Sequence, residues 1–148
     1  MARRAAGADA KAALRAPTSL RLSPATRQGV RGLARARGES MNAALQRLIE
    51  EGVRMAKCPG VVFVDGASGR RACIAGAGID VWEVVRTLRS CGGDEAAMRA
   101  LYPQLSHAQV TAALRYVRAY PAEISERIAL AETAEVEAME TLPSLDVS

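Results

Sequence analysis

The sequence predicts a mainly α protein with short β: one very short strand and two helices that pair with a second copy, then a β-hairpin and a small helical bundle. Three observations carry this. Ser19-Leu20-Arg21-Leu22 alternates polar and apolar residues, capping residues stand ahead of successive apolar helical periods, and a β-branched run at residues 61–64 is followed by Asp65-Gly66.

Side chains alternate along a strand, so Leu20 and Leu22 share one face while Ser19 and Arg21 share the other. Ser23 then offers an N-cap oxygen, and Pro24 suits the first helical position because its missing N–H has no helical acceptor to lose. Val30, Leu33 and Ala34 line one face of this helix, and Gly38 can take the left-handed conformation that ends it. Ser40 caps a second helix, on which Met41, Ala44, Leu45, Leu48, Ile49 and Val53 form a stripe that must be buried. A lone strand has two unpaired edges, and about forty residues cannot enclose a good core, so an intertwined dimer is expected.

On these features, the SLRLS strand, the Gly38-Glu39-Ser40 turn and the leucine spacing, residues 17–57 resemble the ribbon-helix-helix family of CopG/Arc-like repressors. The resemblance implies a swapped dimer whose paired strands enter the major groove of operator DNA. By position, Ser19 and Arg21 would then read bases, Arg21 through bidentate bonds to guanine. The family's phosphate clamp maps to Ser40, Met41 and Asn42, where helical N–H groups and the helix dipole favour an anion. Pro17 stands where the family often has a basic residue, leaving two reading positions per strand.

Residues 58–121 read as the hairpin plus a bundle of helix-turn-helix type. Residues 61–64 and 72–74 form the hairpin, with the turn starting at Asp65-Gly66. Asp80 with Glu83 is a D-x-x-E capping box, and Val81, Val84, Val85 and Leu88 form the apolar face of the helix that Gly92-Gly93 ends. Asp94 caps a short helix running to Leu101, Tyr102-Pro103 breaks it, and Ser106 with Gln109 opens another carrying Val110, Ala113, Leu114 and Val117. Trp82 is expected as a core anchor. In a helix-turn-helix the exposed start of the second helix meets DNA, which nominates His107, Thr111 and Arg115 as a second DNA surface; the other reading is that this domain serves only dimer or partner contacts.

The segments CIAGAGIDVWEVV and LYPQLSHAQVTAALRYV make residues 60–121 similar to a family catalogued as domain of unknown function number four hundred and thirty-three, found in VapB-like antitoxins. That resemblance implies a small helical domain encoded beside a PIN-like nuclease toxin. The family commonly has a threonine-arginine pair and a proline in the first segment, where this chain has Ala77, Gly78 and Asp80, so no role transfers from that arginine.

Charge is graded along the chain. Residues 1–57 hold twelve Lys/Arg against four acids, a net +8; residues 58–119 hold seven against five, a net +2; from residue 120 one arginine faces seven acids, a net −6. A basic front suits phosphate neutralisation. Residues 1–16 are expected to form a flexible basic arm that either reaches DNA or is idle. Residues 122–148 are expected to be helical to about residue 137 and then an acidic tail. This tail either binds a basic toxin surface through Glu137, Glu140, Leu142, Leu145 and Asp146, or only solubilises.

No phosphate-binding glycine loop is present, and one histidine with three scattered cysteines provides neither a catalytic triad nor a metal site. No enzyme, cofactor or metal is expected. The apolar runs fall short of the roughly eighteen residues that span a bilayer, and the basic N-terminus lacks the apolar core of a secretion signal, so a cytoplasmic protein is expected. Taken together, the residues and the two resemblances lead to the antitoxin of a type II toxin-antitoxin pair, a dimeric autorepressor that neutralises a PIN-like nuclease. The alternative is a stand-alone ribbon-helix-helix regulator whose second domain adds DNA contacts or oligomerises.

Overall fold

The computed structural model describes residues 18–141. The chain divides into two compact units, residues 1–47 and 48–148. Among the described residues there are six helices and one two-stranded antiparallel sheet: α1 (Pro24–Arg37), α2 (Met41–Lys57), β1 (Val61–Gly66), β2 (Gly69–Ile74), α3 (Val81–Ser90), α4 (Glu95–Leu101), α5 (His107–Ala119) and α6 (Pro121–Thr141). The first unit ends within α2.

In the N-terminal unit, the local signals give the helices their ends. Ser23 Oγ accepts from Thr26 N at 3.1 Å ahead of Pro24. Gly38 closes α1 at φ 65°, and Glu39 N reaches back to Ala34 O at 3.0 Å, the long bond of a Schellman turn. Ser40 Oγ accepts from Ala43 N at 3.1 Å and opens α2. Arg47 returns along α2 to the turn, its Nη2 2.6 Å from Glu39 Oε1.

Where alternation predicts a strand over residues 19–22, the single chain has none: residues 18–23 are neither helix nor strand. A ladder needs a partner strand, and the described residues of this unit provide none. The burial pattern matches that deficit. Among the described residues of this unit the buried apolar ones are Val30, Ala34 and Ala44, whereas Leu20 is 56% and Leu33 48% exposed. On α2 the expected buried stripe is covered in part only: Ala44 is fully buried, Met41, Leu45 and Leu48 are half-buried, and Ile49 and Val53 are exposed.

The second unit closes its own core. β1 and β2 pair from Val61↔Ile74 to Gly66↔Gly69. The turn lies two residues later than the sequence suggests, at Ala67-Ser68, because Asp65 and Gly66 still pair and the left-handed residue is Gly69 at φ 89°. Helix α3 packs against β2, α4, α5 and α6, and α5 packs against both strands and α6. Ile74, Val84, Met98, Leu105, Val110 and Tyr116 fill the space between them, each essentially inaccessible. Full burial of side chains this size contributes about 1.5–3 kcal/mol apiece.

The helix starts follow the sequence closely. Glu83 Oε2 accepts from Asp80 N at 2.9 Å, Asp94 Oδ1 accepts from Ala96 N and Ala97 N at 2.9 and 3.1 Å, and Ser106 with Gln109 forms a reciprocal box. Gly92 and Gly93, both at positive φ, follow the end of α3. Helix α6 buries Ile124 and Ile128 and runs four residues beyond the expected end.

Candidate nucleic-acid interface

Ser19 and Arg21 are both exposed, in the segment without secondary structure that leads into α1. At the start of α2 the first helical bond is Ala44 N to Ser40 O at 2.9 Å, so Met41 and Asn42 N–H precede any helical acceptor. Ser40 Oγ is engaged by Ala43 N, and Asn42 is exposed. A positive helix end with N–H groups facing outward is chemically suited to a phosphate oxygen.

Sequence reasoning did not single out the face of α1 that carries Arg27, Arg31 and Arg35. With Pro24, Gln28 and Gly32 these line a shallow trough along the helix. The spacing of three arginines at four-residue intervals was the available signal.

On α5, His107, Thr111 and Arg115 fall on one exposed stripe. His107 Nδ1 lies 2.6 Å from Glu95 Oε1, so this ring is engaged with α4. Trp82, the expected core anchor, packs against the core but is only half-buried. Its Nε1 donates to Asp80 Oδ2 at 3.1 Å, and the Arg86 guanidinium stands 5.8 Å from its ring centre. An indole N–H has to meet an acceptor, and buried Asp80 sits at the rim of the helix start, which draws the ring there. Asp80 also holds Arg71 Nε at 2.5 Å. Glu137 and Glu140 are exposed on the last turns of α6; Leu142, Leu145 and Asp146, the arm at 1–16, and Pro17 lie outside the described residues.

The polar network of the second unit was not legible in advance. Arg70 forks onto Glu51, Nε to Oε1 at 2.5 Å and Nη2 to Oε2 at 2.8 Å, while its Nη1 meets Asp65 Oδ2 at 3.1 Å. The bonds to Glu51 raise the Arg70 pKa further above its ordinary value. Arg127 donates to Ser68 O and Arg70 O at 3.0 and 2.8 Å, securing the hairpin turn to α6. Tyr116 OH donates to Glu123 Oε1 at 3.0 Å and accepts from Arg54 Nη1 at 3.1 Å, and Arg54 also contacts Glu123 directly. The Arg54 guanidinium lies 4.6 Å from the Tyr120 ring centre, and Phe63 meets Tyr116 edge-on at 6.3 Å. Burial pushes the Tyr116 phenol well above its ordinary range.

Cys58, Cys73 and Cys91 are free thiols. Burial, with the Asp80 carboxylate adding to it, pushes the Cys73 thiol up and away from nucleophilic use. Among the described residues no group of His, Cys, Asp and Glu could hold a metal ion, and no helix is long and apolar enough to cross a membrane.

No curated protein and no solved structure matches the chain. Over residues 61–117, from the start of the hairpin to the third turn of α5, the chain is similar to the family described as "Protein of unknown function (DUF433)".

Proposed function

We propose that this chain is the antitoxin of a type II toxin-antitoxin pair: a dimer whose N-terminal unit binds operator DNA as an autorepressor and whose second domain and tail neutralise a PIN-like nuclease toxin. The observation that carries the DNA-binding half is the incomplete N-terminal unit. Among its described residues it buries only the apolar side chains of Val30, Ala34 and Ala44, leaves Leu20 and Leu33 exposed, and offers the alternating segment no partner strand. A second copy pairing residues 19–22 antiparallel would cover the leucines and turn Ser19 and Arg21 outward together, the arrangement of a ribbon-helix-helix reader. The twelve Lys/Arg of residues 1–57 suit the phosphates of the duplex.

The toxin half rests on what the resemblance of residues 60–121 implies, the family matched over residues 61–117 being described only as of unknown function, and on α6. Beyond Ile128 this helix leaves the core and displays Leu130, Val136 and Met139 among Glu132, Glu135, Glu137 and Glu140. Apolar anchors set among acids suit a basic protein surface.

Footprinting the purified chain on its own promoter, together with co-purification of the neighbouring gene product, tests both halves. A protected palindrome and a stable complex that relieves toxicity are expected. A neighbour that neither binds the chain nor harms cells removes the toxin half. Truncation after Val136 keeps buried Ile124 and Ile128 while removing Glu137 and Glu140, and it should abolish toxin neutralisation but preserve operator binding.

A further inference from the structure

Six of the fifteen arginines among the described residues are committed to acids. Arg37 and Arg47 lie beside Glu39, Arg54 meets Glu123, Arg70 meets Glu51, Arg71 meets Asp80, and Arg86 meets Glu135. Arg27, Arg31 and Arg35 stand apart by sharing one face of α1: all three are exposed and line one trough, and none of their side chains makes a hydrogen bond or ion pair with the described residues. Helix α1 contains no Asp or Glu at all. Arg35 near the C-terminal end is favoured by the helix dipole, but Arg27 stands in the first turns, at the positive end, where helix stability gives no reason for a cation.

We infer that Arg27, Arg31 and Arg35 form a rail for the sugar-phosphate backbone of duplex DNA, adding sequence-independent affinity to the base-reading strand. The inference rests on the DNA-binding reading of the N-terminal unit. Eight residues of helix rise about 12 Å, long enough for the row to reach more than one phosphate of a duplex strand. The regular four-residue interval suits a regular polyanion. The trough between the arginines is lined by Pro24, Gln28 and Gly32, with no large apolar anchor of the kind a protein partner engages.

The test needs no knowledge of the operator. Affinity of the full-length chain for a random-sequence duplex is measured against salt concentration for the wild type, the triple variant R27Q/R31Q/R35Q, its lysine counterpart R27K/R31K/R35K, and the single changes R31Q and R89Q. Each phosphate contact contributes about 0.9 to the slope of log affinity against log salt. Per protomer of the bound dimer, the triple glutamine variant should therefore lose about 2–3 from the slope and R31Q about 0.9, and the lysine variant and R89Q almost nothing. Circular dichroism reports whether the triple variant remains helical, and if it does not, R31Q against R89Q carries the test. An unchanged slope in R31Q, or an equal loss in R89Q, overturns the rail while leaving the DNA-binding reading standing. Tight binding to polyglutamate that the glutamine variant loses, with duplex binding unaltered, assigns the row to an acidic polypeptide instead. A wild-type chain that binds no duplex at any salt concentration overturns the DNA-binding reading and the rail with it.

Discussion

Arg70 holds Glu51 through two parallel bonds, Nε to Oε1 at 2.5 Å and Nη2 to Oε2 at 2.8 Å, and so fastens the second half of α2 to β2. Glu51 is only 8% exposed. Because removing one member of a part-buried pair leaves the other charge less well compensated, Arg70→Met should destabilise the chain by about 1–3 kcal/mol. Replacing both, Glu51→Leu with Arg70→Met, should cost less than the single change. Denaturant unfolding of the three variants checks the order; a double variant weaker than Arg70→Met would mean the pair's value lies elsewhere than in mutual compensation.

Tyr116 gives the fold an alkaline limit. Burial raises its pKa above the ordinary value of 10, so on passing pH 10 the unfolded chain releases a proton that the folded chain retains. The unfolded state then binds fewer protons, and unfolding free energy falls with rising pH, by up to about 1.4 kcal/mol per pH unit. Below pH 10 this contribution is fully present. Tyr116→Phe should lose about 1 kcal/mol at neutral pH through the bonds to Arg54 and Glu123, yet show a shallower decline above pH 10. Urea unfolding on either side of pH 10 distinguishes the two slopes.

The signals that were legible in the sequence are the local ones. Ser23, Gly38, Ser40, Asp80, Asp94 and Ser106 mark helix ends because a cap acts on N–H or C=O groups within four residues. The hairpin was legible too, but its turn was placed two residues early because Asp65-Gly66 is a common turn pair and only the register shows that both residues remain in the ladder. Glu51 with Arg70 and Arg54 with Glu123 lie nineteen and sixty-nine residues apart, and no periodicity links such positions. Trp82 packs against the core as expected, but its bond to Asp80 was not legible, because Asp80 reads in the sequence only as a cap. Ser19 and Arg21, proposed as base readers by analogy of position, are exposed in the single chain, and the proposed ribbon would require a second copy.

Arg21 and Ser40 should fail in different ways if the proposed reader is right. Arg21→Ala removes a side chain that distinguishes bases, so it should cost roughly 1–3 kcal/mol at the operator and relax preference at one position in each half-site. Ser40→Ala removes the cap bond to Ala43 N, 3.1 Å long, and loosens the start of α2. Its loss, about 1 kcal/mol of helix stability, should weaken binding alike on operator and random duplex. Titrations of both variants on both probes separate the roles, and unaltered discrimination in Arg21→Ala counts against a base-reading strand.

Leu20 provides the sharpest test of the dimer. It stands 56% exposed on the segment whose alternation calls for a partner strand, in a unit whose buried apolar residues, among those described, are one valine and two alanines. Covering a leucine fully contributes about 1.5–3 kcal/mol, and a twofold interface counts each leucine twice. Leu20→Asp would place two carboxylates in the middle of the ribbon, where neither finds a cation from the opposite strand. Sedimentation should therefore show a dimer for the wild type and a monomer for Leu20→Asp, with the second unit still folded, since its core of Ile74, Met98, Leu105 and Tyr116 involves no residue before α2. Ser19→Ala, on the other face of the same segment, should leave the dimer intact. A wild-type chain that sediments as a monomer at micromolar concentration, or a Leu20→Asp chain that still dimerises, would mean that the leucines are covered by something other than a second ribbon.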